Sequence, residues 1–251
     1  MSFIPFDYPR EVLELSAMEG GLGYRRIVKN TQELEQYWRG KNGSGNVYFT
    51  AYGYSSTQAP KHHRVDYDTP LIHHFVMDFD CKDFKAKGAE VPFSVPRAEV
   101  IRLHQFLLKD DTKHFVWFSG GGYHVWIPLS ESLKPTNGSA VSHIKHSGRT
   151  LLNKWDRLLN LRCNDPTVAF DTAGMIRIPN SYNARRGCWM IPLSSDEITS
   201  LDYEDLMRIA QNPREGVVQL GEKPLKFEVH KRTTMTMGDI KEIDVPTVSL
   251  N

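Results

Sequence analysis

At 251 residues, 40% of them apolar and 24% charged, the chain is long enough to bury a sizeable core in one large domain without cross-links. The 31 basic and 30 acidic side chains nearly cancel to a formal charge of +1, so the overall balance neither marks nor excludes a nucleic-acid partner. Three cysteines, Cys81, Cys163 and Cys188, exclude a disulfide scaffold and a C-x-x-C zinc pair and point to thiols in a reducing compartment.

In chain order, Met1 to Asp7 lacks a basic stretch followed by a long apolar run, so no signal peptide is expected. No apolar stretch approaches the roughly 18 to 20 residues of a membrane span. The expectation is a soluble intracellular protein, cytoplasmic or nucleoid-associated and not secreted. Residues 1–70 read as an irregular α/β part: a short helix around Thr31 to Trp38, a Gly-rich turn from Lys41 to Gly45, and a strand at Asn46 to Tyr52. Ile72 to Asp80 has strand length and composition, with Phe75, Met77 and Phe79 on one face and Val76, Asp78 and Asp80 on the other. Ser94-Val-Pro96 opens a helix in which Val100, Leu103, Leu107 and Leu108 keep helical spacing to Lys109. Phe115 to Phe118 is a strand, Ser119 to Gly122 a tight turn, and Tyr123 to Leu129 the next strand. After a polar loop at Pro135 to Ser139, Leu151, Leu152, Trp155, Leu158 and Leu159 mark an amphipathic helix. Met175 to Ile178 and Cys188 to Leu193 read as strands on either side of a basic turn.

The order from residue 72 to 178 is β-α-β-β-α-β, the ferredoxin-like or RNA-recognition-motif arrangement: one sheet with both helices on one face. The helices are expected over Phe75, Met77 and Phe79, leaving the Asp78–Asp80 face open. The predicted fold is α+β, with this sheet module joined to an N-terminal α/β module. Residues 1–214 read as a single domain, divided into parts 1–70 and 71–214. Residues 215–251 read as a C-terminal extension, either a docking segment or a loose tail.

Two carboxylates at i and i+2 on a strand project from one side about 6 to 7 Å apart, and oxygen-only ligands suit magnesium or manganese. The three glycines after Ser119 let backbone N–H groups approach an anion, and His124 on the following strand is a further donor. Arg177 alternates with Ile176 and Ile178, which puts a planar cation on the open face, where it suits a triphosphate. Asp165, after the second helix, arrives beside the first strand as a third carboxylate. Read singly, each of these is a surface charge or a turn residue; their convergence on one sheet face is what points to chemistry.

Asp78-Phe-Asp80, the segment Ser119 to Trp126 and the segment Asp165 to Gly187 resemble the three motifs of the archaeo-eukaryotic primase superfamily, which includes the small subunit of replicative primases and plasmid and viral primase-polymerases. That family sets an Asp-x-Asp or Asp-x-Glu strand, a Ser-Gly-Gly-x-Gly-type turn ending in His, then an Asp, an Arg- or Lys-bearing strand and Pro-x-Ser-x-His-x-Lys-Thr-Gly. Here Asp165, Arg177, Pro179, Ser181 and Gly187 fall in that order, and the resemblance spans about residues 72–193.

The resemblance implies a DNA primase-polymerase that joins NTPs or dNTPs on single-stranded DNA by two-metal nucleotidyl transfer, with Mg2+ or Mn2+. Asp78, Asp80 and Asp165 would be catalytic and hold the metals, with Asp171 as the fallback third carboxylate. Ser119, Gly121, His124, Arg177 and Arg185 would bind the nucleotide. A large primase subunit, a helicase or another replication protein are the companions it suggests. The sequence departs from the pattern in three places. Asn183 stands where the family has His, and Arg185-Arg186 stand for Lys-Thr. The glycine turn lacks the basic residue many relatives carry, which shifts triphosphate binding toward Arg177. No Cys/His zinc module is visible, and the pairs His62–His63 and His143–His146 read as structural or surface residues.

Two other classes share parts of this pattern. An RNA-recognition-type binding module stacks bases on exposed sheet aromatics, whereas this face offers carboxylates. A rolling-circle replication nuclease needs a His-x-His metal pair, and the adjacent His73 and His74 point to opposite faces.

Overall fold

The computed structural model describes residues 8–15, 25–43, 45–58, 64–83, 89–214 and 216–230. Its elements are β1 (Arg10–Leu15), β2 (Arg26–Val28), α1 (Thr31–Lys41), β3 (Asn46–Thr50), β4 (Gly53–Tyr54), β5 (Pro70–Asp80), β6 (Lys82–Asp83), β7 (Ala89–Glu90) and α2 (Ser94–Lys109). They continue with β8 (Phe115–Phe118), β9 (Gly122–Leu133), α3 (Gly138–Leu159), β10 (Met175–Arg177), β11 (Tyr182–Asn183), β12 (Cys188–Trp189), β13 (Ile191–Pro192), α4 (Ser195–Ser200) and α5 (Tyr203–Ile209).

Two antiparallel sheets organise the mixed α/β chain. The larger has the order β13-β8-β9-β5-β4 and the smaller the order β10-β3-β1-β2. In the larger sheet β5 pairs with β9 from Ile72↔Leu133 to Asp80↔Gly122, with Asp78 directly opposite His124. Period-two alternation puts the apolar side of β5 under the helices as expected: Phe75 meets Trp155 of α3 edge-on at 5.7 Å, and Phe106 of α2 meets the same Trp155 at 6.0 Å.

Helix α3 begins at Gly138, thirteen residues before the first apolar marker at Leu151. Asn137 caps it, its side chain accepting from Ala140 N at 2.9 Å. The first half was illegible because its buried stripe, Val141, Ile144, Ser147 and Gly148, is apolar at only two positions and continues through Ser and Gly, where a pattern search wants large apolar residues. Gly148 has a packing reason: a Cβ there would stand 2.3 Å from the Phe170 ring.

Two expectations are corrected. The strand at Met175–Arg177 does not complete the β5 sheet; it joins the smaller sheet, with Ile176 opposite Phe49 and Arg177 opposite Tyr48. Along the C-terminal half of β5 the chain instead makes a short antiparallel contact, in which Asn164 bridges Phe79, Asp80 N donates to Cys163 O at 3.2 Å and Asp165 N donates to Asp78 O at 2.7 Å. Alternation along a strand reveals its two faces but not its partner, so residues 175–177 read identically for either sheet. Nor is the far face of the β5 sheet fully open. The smaller sheet lies across it: Trp126 stacks on Phe49 at 6.2 Å, and His74 packs between Trp126 (4.7 Å) and Tyr52 (6.2 Å). At the end that bears Asp78 and Asp80 the described residues leave a cleft between the sheets.

The described part of the C-terminal region lies along the body. Leu220 bridges His114, Leu225 bridges Leu129, and His230 N donates to Ser147 Oγ at 2.8 Å. Among the described residues no helix is long and apolar enough to cross a membrane.

Candidate active site

The cleft takes one wall from each sheet and its rim from the β11–β12 hairpin. Asp78 and Asp80 of β5 and His124 of β9 form the first wall; Tyr48 of β3 and Arg177 of β10 form the second; Asn183, Arg185 and Arg186 close the rim over the Ser119–Gly122 turn.

Asp78 and His124 are cross-strand neighbours, and Nε2 of the histidine lies 3.5 Å from Asp78 Oδ1. Burial, then the negative charges of Asp80 and Asp165, raise the Asp78 carboxyl to about 7, and Arg177 only partly opposes them. Although 31% of its side-chain surface meets solvent, the carboxyl sits deep enough in the cleft for desolvation to lead. His124 is pushed the other way, to about 3, by burial and by the Arg177 charge, so its imidazole is neutral at pH 7. The result is a concentration of carboxylates for which the described residues supply no Lys or Arg ion pair.

Arg177 supplies the opposite sign. It is 7% exposed, and its guanidinium is held by neutral groups: Nη1 donates to Asn46 Oδ1 (3.0 Å) and Tyr182 O (3.3 Å), and Nη2 donates to Tyr48 Oη (3.0 Å). Its Cζ lies 5.0 Å from the Tyr48 ring centre. Burial lowers its affinity for a proton, opposed by Tyr48, Cys188 and Asp78. A cation fixed from behind by neutral acceptors keeps its charge for a ligand.

The turn between β8 and β9 is built on glycine. Gly120 has φ 87°, and a Cβ there would meet Cys188 Sγ at 2.4 Å. A Cβ on Gly122 would fall 1.8 Å from Phe79 O, so this glycine is what lets the turn close against the Asp78–Asp80 strand. Ser119 is spent internally: its hydroxyl donates to Gly122 O at 3.2 Å, and its carbonyl accepts from Asn183 Nδ2 at 2.6 Å.

Asp78, Asp80, Ser119, Gly121, His124, Arg177 and Arg185 therefore share one cleft. Asp165 is only half gathered in. Its backbone is tied to Asp78 and its charge is felt there, but its Oδ1 accepts from Thr167 N and Oγ1, both at 2.8 Å, and it does not line the cleft. Asp171 does not line the cleft either: it faces Lys145 at 3.7 Å and accepts from Ala173 N at 3.1 Å. Among the described residues no group of three His, Cys, Asp or Glu stands ready to hold a metal. His62 and His63 lie outside the described residues. His143 and His146 sit on α3, away from the cleft.

Sequence reasoning missed Tyr48 and passed over Arg186 and Asn183. Tyr48 carried a signal: Asn46, Tyr48 and Thr50 alternate with Val47 and Phe49, a polar face that β3 turns toward Arg177. Arg186 is exposed, and a Cβ on Gly121 would lie 3.2 Å from its Nε and Nη2, which sets its guanidinium over the turn.

No family model matches the chain, and no curated protein sequence does. Among solved structures it is similar to the polymerase domain from Mycobacterium tuberculosis Ligase D in complex with DNA, at 14% identity over 80% of this chain and 71% of that one, with a TM-score of 0.49. A TM-score below 0.5 does not establish a shared fold.

Proposed function

We propose that this chain is a nucleotidyltransferase of the DNA primase-polymerase kind, which joins nucleoside triphosphates on a single-stranded DNA template. The observation that carries the reading is the sorting of charge across one cleft: two strand-borne carboxylates, Asp78 and Asp80, face a wall that presents Arg177, with Arg185 and Arg186 at the rim. The three ordered sequence motifs support the same reading. In it, β5-α2-β8-β9-α3 is the RNA-recognition-motif-like core of the enzyme.

The Asp78–Asp80 pair fits a divalent cation, because burial and then the charges of Asp80 and Asp165 raise the Asp78 carboxyl, and such an ion would offset both. Asp165 would complete the set only after its carboxylate leaves Thr167. Magnesium or manganese held there would supply the charge that draws a triphosphate to an acidic wall and the activation of the attacking hydroxyl. The chain's own residues do the rest. Arg177, immobilised by Asn46 and Tyr48, offers a fixed planar donor to phosphate oxygens without reorganising. Ser119, Gly121 and Arg185 line the same phosphate path. His124, neutral and with Nε2 3.5 Å from Asp78 Oδ1, offers a donor beside that carboxylate without adding charge.

Incubating the protein with single-stranded template, Mn2+ or Mg2+ and labelled nucleotides, with and without a primer, tests this directly. Template-dependent extension or dinucleotide formation is expected. A strand that is bound, or cut and covalently captured, but never extended would refute the proposal.

A further inference from the structure

Asn183, on the β11–β12 hairpin, is 6% exposed and lines the cleft. What lies behind it fixes the orientation of its amide. Nδ2 donates to Ser119 O at 2.6 Å, and turning the amide over would bring two oxygens together. The other end, Oδ1, is buried and has no hydrogen-bond partner among the described residues. A residue of the cleft lining thus keeps a buried neutral acceptor unspent, which is costly unless a ligand group completes it.

The chemistry of a nucleoside triphosphate narrows what that ligand group can be. Phosphate oxygens are acceptors, which an amide oxygen repels and which have Arg177, Arg185 and Arg186 to receive them. The donors are the base N–H groups and the sugar hydroxyls. A template-directed enzyme has to leave the base edge to the template and treat four bases alike, so a sugar hydroxyl is the donor common to every substrate. We infer that Asn183 is a specificity-determining residue that accepts a hydrogen bond from a sugar hydroxyl of the bound nucleotide. The inference rests on the nucleotide reading of the cleft. It also gives chemical content to the departure at this position, where a histidine donor is replaced by an amide whose available atom is an acceptor. A sugar lacking the hydroxyl strands Oδ1 in a dry site, which is how a polar pocket rejects an analogue.

The test is a thermodynamic cycle on the full chain. Affinities of the wild-type protein and Asn183→Ala for adenosine triphosphate, its 2′-deoxy form and its 2′,3′-dideoxy form are measured calorimetrically at one Mn2+ concentration. In the wild type, losing the recognised hydroxyl should weaken binding about tenfold. In Asn183→Ala the same loss should change nothing, so that the two deletions are non-additive. The first deoxygenation step reports a 2′ contact and the second a 3′ contact. The dideoxy form should bind both proteins alike, which shows that the variant's cleft is folded. If Asn183→Ala melts early, Asn183→Ser replaces it, since it removes the amide oxygen while keeping a small polar side chain in the gap. Equal wild-type affinity for all three sugars, or undiminished discrimination in the variant, overturns the role of Asn183 alone. A wild-type protein that binds none of the three overturns the nucleotide reading and this inference together.

Discussion

Asp78 concentrates the conflict on which the site is built. Its folded-state carboxyl is raised to about 7 from an ordinary value near 4, so between those pH values the folded chain holds a proton that the unfolded chain has released. The stability it contributes is therefore complete below pH 4 and lost as pH rises to about 7. In chelator, Asp78→Asn should be more stable than wild type at pH 8 by about 1 to 2 kcal/mol, a figure discounted for partial solvent access, and the gain should shrink toward pH 4. Thermal melts across that range check it; a variant less stable than wild type at pH 8 would contradict the crowding of Asp78 by Asp80 and Asp165. The Asp-x-Asp spacing was readable because period two alone puts both carboxylates on one face. The Arg177 anchor was not, because Tyr48 and Asn46 lie about 130 residues earlier and only the pairing of β3 with β10 brings them near.

Between elements, two buried polar devices hold the frame. Glu99 of α2 is 1% exposed, and its Oε2 accepts from Arg162 N (2.9 Å) and Cys163 N (2.8 Å). Those residues lead directly into the segment that hydrogen-bonds to Asp78 and Asp80, so α2 positions the carboxylate strand through one side chain. Glu99→Ala leaves the buried Cys163 N–H and the partly buried Arg162 N–H without this acceptor and should cost about 1 to 3 kcal/mol in urea unfolding, with Glu99→Gln recovering most of it. Equal losses in both variants would assign the effect to volume rather than hydrogen bonding. The second device is a chain from Ser195 Oγ to His104 Nε2, from His104 Nδ1 to His114 Nε2, and from His114 Nδ1 to Thr112 O, joining α4, α2 and β8 with links of 2.7 to 2.8 Å. Since Thr112 O only accepts, His114 Nδ1 carries a proton; with both rings neutral, His114 Nε2 then accepts from His104 Nδ1. Burial, with the neighbouring His114 adding to it, holds His104 down to about 4, and burial lowers His114 as well. Their stabilisation is thus fully present above pH 6.5 and fades as pH falls toward 4. His104→Gln should flatten the loss of about 2 kcal/mol expected for wild type between pH 7 and 5; an unchanged slope in denaturant titrations would contradict the chain.

Across the whole molecule, two sheets meet to make a cleft that neither makes alone. The bounds of α2 and β8 were legible from the sequence because a first-turn proline, helical spacing and strand composition are local. The destination of β10 and the covering of the β5 sheet by Phe49 and Tyr52 were not, because strand partnering is a global property. That global step is also what sets Arg177 opposite Asp78 and turns a strand motif into a candidate catalytic centre. The most direct measurement is template-directed incorporation at saturating Mn2+ by wild-type, Asp78→Asn and Asp80→Asn proteins of matched stability. Each substitution should cut the rate at least about a hundredfold while template binding persists. Incorporation at the wild-type rate by either variant would contradict the account.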